Sequence, residues 1–320
     1  MRKYVKYITI AYIGFFIGCD DIIEDDITND IVTTVAPQDM TQIEGNSVQF
    51  RWNQIDGADE YRIQINNQSS NAIILDSLVN TTLFNYAMNP GTYQWRVRGE
   101  NFAYDTAYSF NSSFSVISSI DLSGQTVLLN SPLNNLYTND VAITFSWEGI
   151  STATFYKFQI LRVDGSEETV IFEDQNVVDT SITIGNTIIT EDAEYIWQVS
   201  AENDTSFTDY FRRTFFIDTQ NPVSPSLITP AVGQNFTTSQ EVNFTWNFNN
   251  DTGTIQSGII GTIQIASDEN FSNIVLSESN ATGNFINTFD TTGAYYWRVR
   301  GVDEAGNTGD YNASGQFNVN

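Results

Sequence analysis

Apolar and polar positions alternate over short runs along most of the chain, and one seven-residue run recurs three times: Tyr93-Gln-Trp95-Arg-Val97-Arg-Gly99, Tyr195-Ile-Trp197-Gln-Val199-Ser-Ala201 and Tyr295-Tyr-Trp297-Arg-Val299-Arg-Gly301. Successive side chains of a strand point to opposite faces, so in each copy Tyr, Trp, Val and the small residue share one apolar face. Each copy is thus predicted to be a strand with one side in a core. The remaining three Trp residues close shorter alternating runs, Phe50-Arg-Trp52, Phe145-Ser-Trp147 and Phe244-Thr-Trp246. Next come Tyr61-Arg-Ile63-Gln-Ile65, Tyr156-Lys-Phe158-Gln-Ile160 and Gly261-Thr-Ile263-Gln-Ile265, and last Phe114-Ser-Val116, Phe215-Phe-Ile217 and Phe317-Asn-Val319. Asp164-Gly165 between two alternating runs is a hairpin signal. Beyond the first residues no stretch has helical periodicity.

The landmarks keep their spacing. Pro37, Pro132 and Pro230 precede the first Trp of each repeat by 15, 15 and 16 residues, and those Trp residues lie 95 and 99 residues apart. A period near 100 residues is too long for a solenoid repeat and fits a whole sandwich domain. The predicted domains are residues 31–117, 125–217 and 222–320. The joint Asp218-Thr-Gln-Asn-Pro222 contains a proline, which restricts bending.

A Trp on the second strand, Tyr-x-Trp-x-Val-x-Gly/Ala on the sixth and Phe-x-Val on the last resemble fibronectin type III domains in the form found in exported bacterial proteins. The resemblance covers residues 31–320 and includes Ser267-Asp-Glu-Asn-Phe271-Ser-Asn-Ile-Val275 after the third strand of the last repeat. It implies an all-β chain of three tandem immunoglobulin-like β-sandwiches, with Trp52, Trp95, Trp147, Trp197, Trp246 and Trp297 in the cores. It also implies that Tyr93, Tyr195 and Tyr295 are corner tyrosines, bonded to nearby main chain.

The first residues differ from the rest. Arg2, Lys3 and Lys6 precede an apolar run, Tyr7 to Ile17, and then Gly18 and Cys19, the one cysteine of the chain. A basic start, a short apolar run and a small residue make a secretory signal, here residues 1–18. Phe16-Ile17-Gly18-Cys19 resembles a bacterial lipobox, which implies lipidation of Cys19 and attachment to a membrane. Residues 19–30, with Asp20, Asp21, Glu24, Asp25 and Asp26, are read as an acidic tether. They resemble the export signal that carries some lipoproteins to the exterior face of the outer membrane.

The formal charge of −26 becomes −29 once residues 1–18 and their three basic groups are removed. Such a surface disfavours nucleic acid and anionic lipid as partners. The chain has no His and, once Cys19 is lipidated, no thiol, so histidine triads, thiol nucleophiles and His or Cys metal sites are excluded. Only carboxylate chemistry remains. A pair of acids suits a glycosidase, but no inserted cleft frames one, and the chain is read as a non-enzyme: a binding, adhesion or spacer module. The alternative is a glycan-binding lipoprotein of an outer-membrane polysaccharide uptake system.

Two candidate sites follow. Phe102 and Tyr104 stand in a late loop of the first repeat, without aromatic counterparts in the others, as a platform for a glycan or protein ligand. Tyr108, matched by Tyr210 and Tyr311, is read as core or a corner contact. In the third repeat Trp246 to Ile263 spans 17 residues against 11 in the others, and the added Asn247-to-Gly253 loop is rich in oxygen ligands. At the same end of a sandwich, Asp251 is expected to approach Asp303, Glu304 and Asp310 as candidate Ca2+ ligands. Arg96, Arg98, Arg298 and Arg300 on outward positions are expected to pair with carboxylates across strands.

Overall fold

The alternating runs become strands in the computed structural model, which describes residues 24–320; the signal segment, Cys19 and the acids at positions 20 and 21 lie outside the described residues. Every regular element among them is a β-strand. No helix among the described residues is long and apolar enough to cross a membrane. The strands form three sheet pairs, each a three-stranded sheet facing a five-stranded one.

In the first sandwich the small sheet orders Thr34–Ala36, Ser47–Trp52 and Leu83–Ala87. The large sheet orders Thr41–Glu44, Ser112–Ile117, Gly91–Glu100, Glu60–Asn67 and Ile73–Val79. The chain passes from one sheet to the other at Pro37, whose preceding peptide bond is cis, as are those before Pro132 and Pro230. The second and third sandwiches repeat this order. In the second, Phe155–Asp164 lies between Ala193–Glu202 and Glu167–Val177; in the third, Ile259–Ala266 lies between Gly293–Asp303 and Ile274–Ala281. The Asp164-Gly165 signal is a hairpin, with Gly165 at φ +67°, a left-handed conformation that costs glycine little.

Each sandwich closes its own core. Trp95, Trp197 and Trp297 are buried at the centres, each packed against a Phe on the middle strand of the small sheet, with Phe50, Phe145 and Phe244 at 5.2, 5.3 and 5.1 Å between ring centroids. The corner tyrosines donate four residues back: Tyr93 to the Asn89 carbonyl at 2.8 Å, Tyr195 to that of Glu191 at 2.9 Å, and Tyr295 to that of Thr291 at 2.9 Å.

The chain divides into two compact units. One contains residues 24–43 and 48–117; the other contains Ser118–Asn320 with Glu44–Ser47, and so holds both later sandwiches. The stretch from Asp25 to Asp30, read above as tether, is part of the first sandwich: Ile27 is buried, and the Asp25 carbonyl accepts from Asn101 Nδ2 at 2.9 Å. An apolar side chain at position 27 gains more from burial than a solvated tether would allow. Leu122, ahead of the second predicted boundary, is likewise in the second core.

Candidate functional site

In the first sandwich the loop after Gly91–Glu100 is shaped by Asn101. Its Oδ1 accepts from the N–H groups of Ala103 and Tyr104, and its Nδ2 donates to the carbonyls of Asp25 and Gly57. With both ends of that amide engaged, the loop is held while its tip projects: Phe102 is 93% exposed and Tyr104 38%. Phe102 borders a shallow cavity of about 280 Å³ with Asp59, Glu60, Glu100 and Asn101; Tyr104 does not line it. Burial pushes the Glu100 carboxyl up, but bonds and charge from Arg62 and Arg98 outweigh it and hold the group below the usual range. The cavity thus pairs one apolar ring with carboxylates.

Tyr108 is neither core nor corner. It lies under the guanidinium groups of Arg96 and Arg98, at 4.2 and 5.0 Å from the ring centroid, and Tyr311 does the same under Arg298 and Arg300 at 4.1 and 4.9 Å. Arg98 does meet carboxylates, but not across strands as expected: Glu100 at 2.8 Å is on its own strand and Asp105 at 3.1 Å in the segment that follows. Arg96 and Arg298 instead donate to Gln64 and Gln264. Among the described residues neither Arg298 nor Arg300 has a carboxylate ion-pair partner.

The second candidate lies in the unit of residues 118–320, where the second sandwich meets the third. Of the added residues, Asn247 to Asn249 extend the strand Glu241–Asn249, in register with Val223–Thr229. Only the rest forms a loop. Asp251 Oδ1 accepts from Gly253 N at 2.6 Å and Gln256 Nε2 at 2.8 Å, and Thr254 Oγ1 reaches the Asp192 carbonyl of the second sandwich at 3.3 Å. Below the loop lies Asp218, 1% exposed. Its N–H donates to the Thr138 carbonyl, its carbonyl accepts from Asn307 Nδ2 at 2.7 Å, and its Oδ1 accepts from Gln220 N at 3.1 Å. Its Oδ2 is buried without a partner. Burial pushes the Asp218 carboxyl up; the Gln220 N–H opposes this, and the charges of Asp303, Asp251 and Asp192 add to the rise.

Asp303 is also buried, and both its carboxylate oxygens accept from Asn307, from the N–H at 2.8 Å and from Nδ2 at 3.0 Å. Asn307 Oδ1 accepts in turn from Asn139 Nδ2 across the joint at 3.1 Å. The four acids expected to converge do not do so as a set. Glu304 is exposed, with Oε1 beside Gly258 of its own sandwich. Asp310 is exposed too, and its carbonyl accepts from Ser224 Oγ. Among the described residues no group of three or more His, Cys, Asp or Glu side chains is gathered to hold a metal ion. The acids whose charges reach the buried Asp218 are Asp303, Asp251 and Asp192. Asp218 escaped the sequence reading because nothing in a joint segment marks a carboxylate as buried.

Sheet order and repeated corner make the fold three tandem fibronectin type III-like sandwiches. Solved structures similar to this chain include the FN1–FN3 domains of chicken CNTN1, 13% identical, covering 90% of this chain and 98% of that one at a TM-score of 0.43. They also include the fibronectin(III)-like modules of Clostridium thermocellum CbhA, 13% identical, covering 61% of this chain and 94% of that one at a TM-score of 0.37. No protein-family model matches the sequence, and no curated protein does.

Proposed function

We propose that the chain is a non-catalytic surface lipoprotein, held by a lipid on Cys19 at the exterior face of the outer membrane, whose sandwiches act as a binding or spacer module. The observation that carries this reading is repetition: one sandwich is built three times with the same closed core and the same corner, and the last two are tied by hydrogen bonds through Asn307. Repeated modules of this kind serve to present a surface at a distance. Fatty-acid labelling of cells tests the anchor. Cys19→Ala is expected to abolish labelling and release the protein from membranes, and protease treatment of whole cells is expected to digest the anchored form. Unchanged labelling of the variant overturns the anchor.

One observation favours glycan capture as the binding function: a ring as exposed as Phe102 beside a cavity lined by carboxylates that can accept sugar hydroxyls. Truncating an aromatic anchor costs about 2 kcal/mol or more, roughly thirtyfold in affinity. Phe102→Ala is therefore expected to abolish retention on a neutral polysaccharide gel, while Phe110→Ala, at a ring 88% exposed elsewhere on the same sandwich, leaves it unchanged. Equal retention of both variants, or no retention of the parent protein, removes the glycan reading and leaves the spacer.

A further inference from the structure

We propose that the outer face of the five-stranded sheet of the third sandwich binds an acidic sugar, held by the guanidinium groups of Arg298 and Arg300. The first sandwich shows what the same face looks like when it neutralises itself. Its strand Gly91–Glu100 carries Arg96 and Arg98 against the ring of Tyr108, and three carboxylates surround them. Arg98 meets Glu100 and Asp105. Arg62, opposite Arg98 in the register, meets Glu100 and Asp76, and Gln64 donates to Asp76 while accepting from Arg96.

The third sandwich keeps both arginines and replaces all three acids. Val302 stands where Glu100 does, and Thr308 bridges Val302 as Asp105 bridges Glu100. Ser277 lies opposite Gln264, where Asp76 lies opposite Gln64, and Thr262 lies opposite Arg300 in the place of Arg62. The second sandwich retains an acid at the first of these positions, Glu202, paired with Lys157 at 2.6 Å. Only the third sandwich thus has its arginines without their acids.

The aromatic rings do not account for this, since the first sandwich has the same ring contact and the carboxylates as well. Arg298 lies between Phe271 and Tyr311, at 4.0 and 4.1 Å from their centroids, and donates to Gln264. Such contacts fix its guanidinium before a ligand arrives, so little side-chain freedom is left to lose on binding. Arg300 is less well satisfied: its Nε is buried without a hydrogen-bond partner. In a chain of 39 acids and 13 bases, two adjacent arginines kept clear of carboxylates make a seat for an incoming anion.

Guanidinium forks match carboxylate and sulfate oxygens with paired N–H donors. The surroundings decide what carries the anion. A formal charge of −26 repels a densely charged polymer, but hardly opposes a mostly neutral chain with one acidic group. Beside the arginines, Thr262, Ser277 and Thr308 offer hydroxyls and Gln264 an amide, groups that exchange hydrogen bonds with sugar hydroxyls. A glycan bearing an occasional uronate or sulfate fits both features. The site lies on a different sandwich from Phe102 and does not depend on the reading given to that loop.

Titration calorimetry of the full chain at low salt tests this with a trisaccharide bearing one glucuronate, its sulfate-bearing analogue and the neutral trisaccharide. At least one anionic sugar is expected to bind tenfold or more tighter than the neutral one, and the tighter of the two identifies the anion. Val302→Glu combined with Thr308→Asp, which installs the acids of the first sandwich, is expected to weaken that binding at least tenfold while the 118–320 unit melts as in the parent. Arg300→Gln is expected to do the same, and Arg212→Gln, the same loss of charge on the second sandwich, to leave binding unchanged. Equal binding of acidic and neutral sugars, full binding by the Val302→Glu, Thr308→Asp protein, or tighter binding of a hexaglutamate peptide than of either acidic sugar overturns the site.

Discussion

Replacing Trp197 by alanine is expected to melt the second sandwich at far lower temperature while the first sandwich keeps its own transition. The indole is fully buried and packs against Phe145 and Phe158, at 5.3 and 6.4 Å between centroids. Its strand neighbours cannot close the gap, because Ile160 and Arg213 are pinned opposite it by the sheet register. Removing such a side chain costs about 3 to 5 kcal/mol in transfer and cavity terms. In a domain of roughly 100 residues each kcal/mol shifts melting by about 4 to 8 °C, so the loss is on the order of 20 °C. Scanning calorimetry reads it directly. Phe207→Ala, at a ring 65% exposed, is the matched control and should fall within about 0.5 kcal/mol of the parent. A small loss for Trp197→Ala would mean that the second core is not the tight packing described.

Gly309→Ala should be the most damaging single-methyl change. The equivalent positions in the first two sandwiches are Thr106 and Thr208, whose hydroxyls accept from the N–H groups of Gly99 and Ala201. In the third sandwich a side chain has no room, because a Cβ on Gly309 would press on the Pro222 carbonyl, main chain that cannot rotate aside. Gly309 N also donates to the Gly301 carbonyl at 2.9 Å, which prevents retreat. Overpacking of this kind costs about 1 to 3 kcal/mol, here at the joint rather than in a core. The expected result is protease cleavage between Asp218 and Pro222 at concentrations that spare the parent, with the first sandwich melting as before. Resistance equal to the parent would show that the joint segment can shift freely.

The strands were legible because period-two alternation around Trp is a strong local signal: Tyr195, Trp197, Val199 and Ala201 are all buried, as their spacing requires. The corner hydroxyls were legible for the same reason, since their partners lie four residues away in sequence. Tyr108 was misread because a ring that covers arginines and a ring that fills a core look alike in one dimension; the outward Arg96 and Arg98 were legible, but not that the following segment folds Tyr108 against them. At the joint, Asp251 and Asp303 were within reach of the sequence, through the insertion and the turn. Asp218 was not, since its burial depends on Asn307, 89 residues later.

The pairing of the second strand with the last has a mechanical side. Leu136–Thr138 runs parallel to Phe211–Ile217, and Gln234–Phe236 parallel to Gly315–Val319, so in these two sandwiches the second strand lies alongside the last, pointing the same way. Tension between the two ends drags these neighbours in opposite directions along their length. Their hydrogen bonds are then loaded in shear, all together, instead of peeling open singly. Each of these two sandwiches therefore has a shear-loaded seam between its second and last strands, at the edge of the five-stranded sheet.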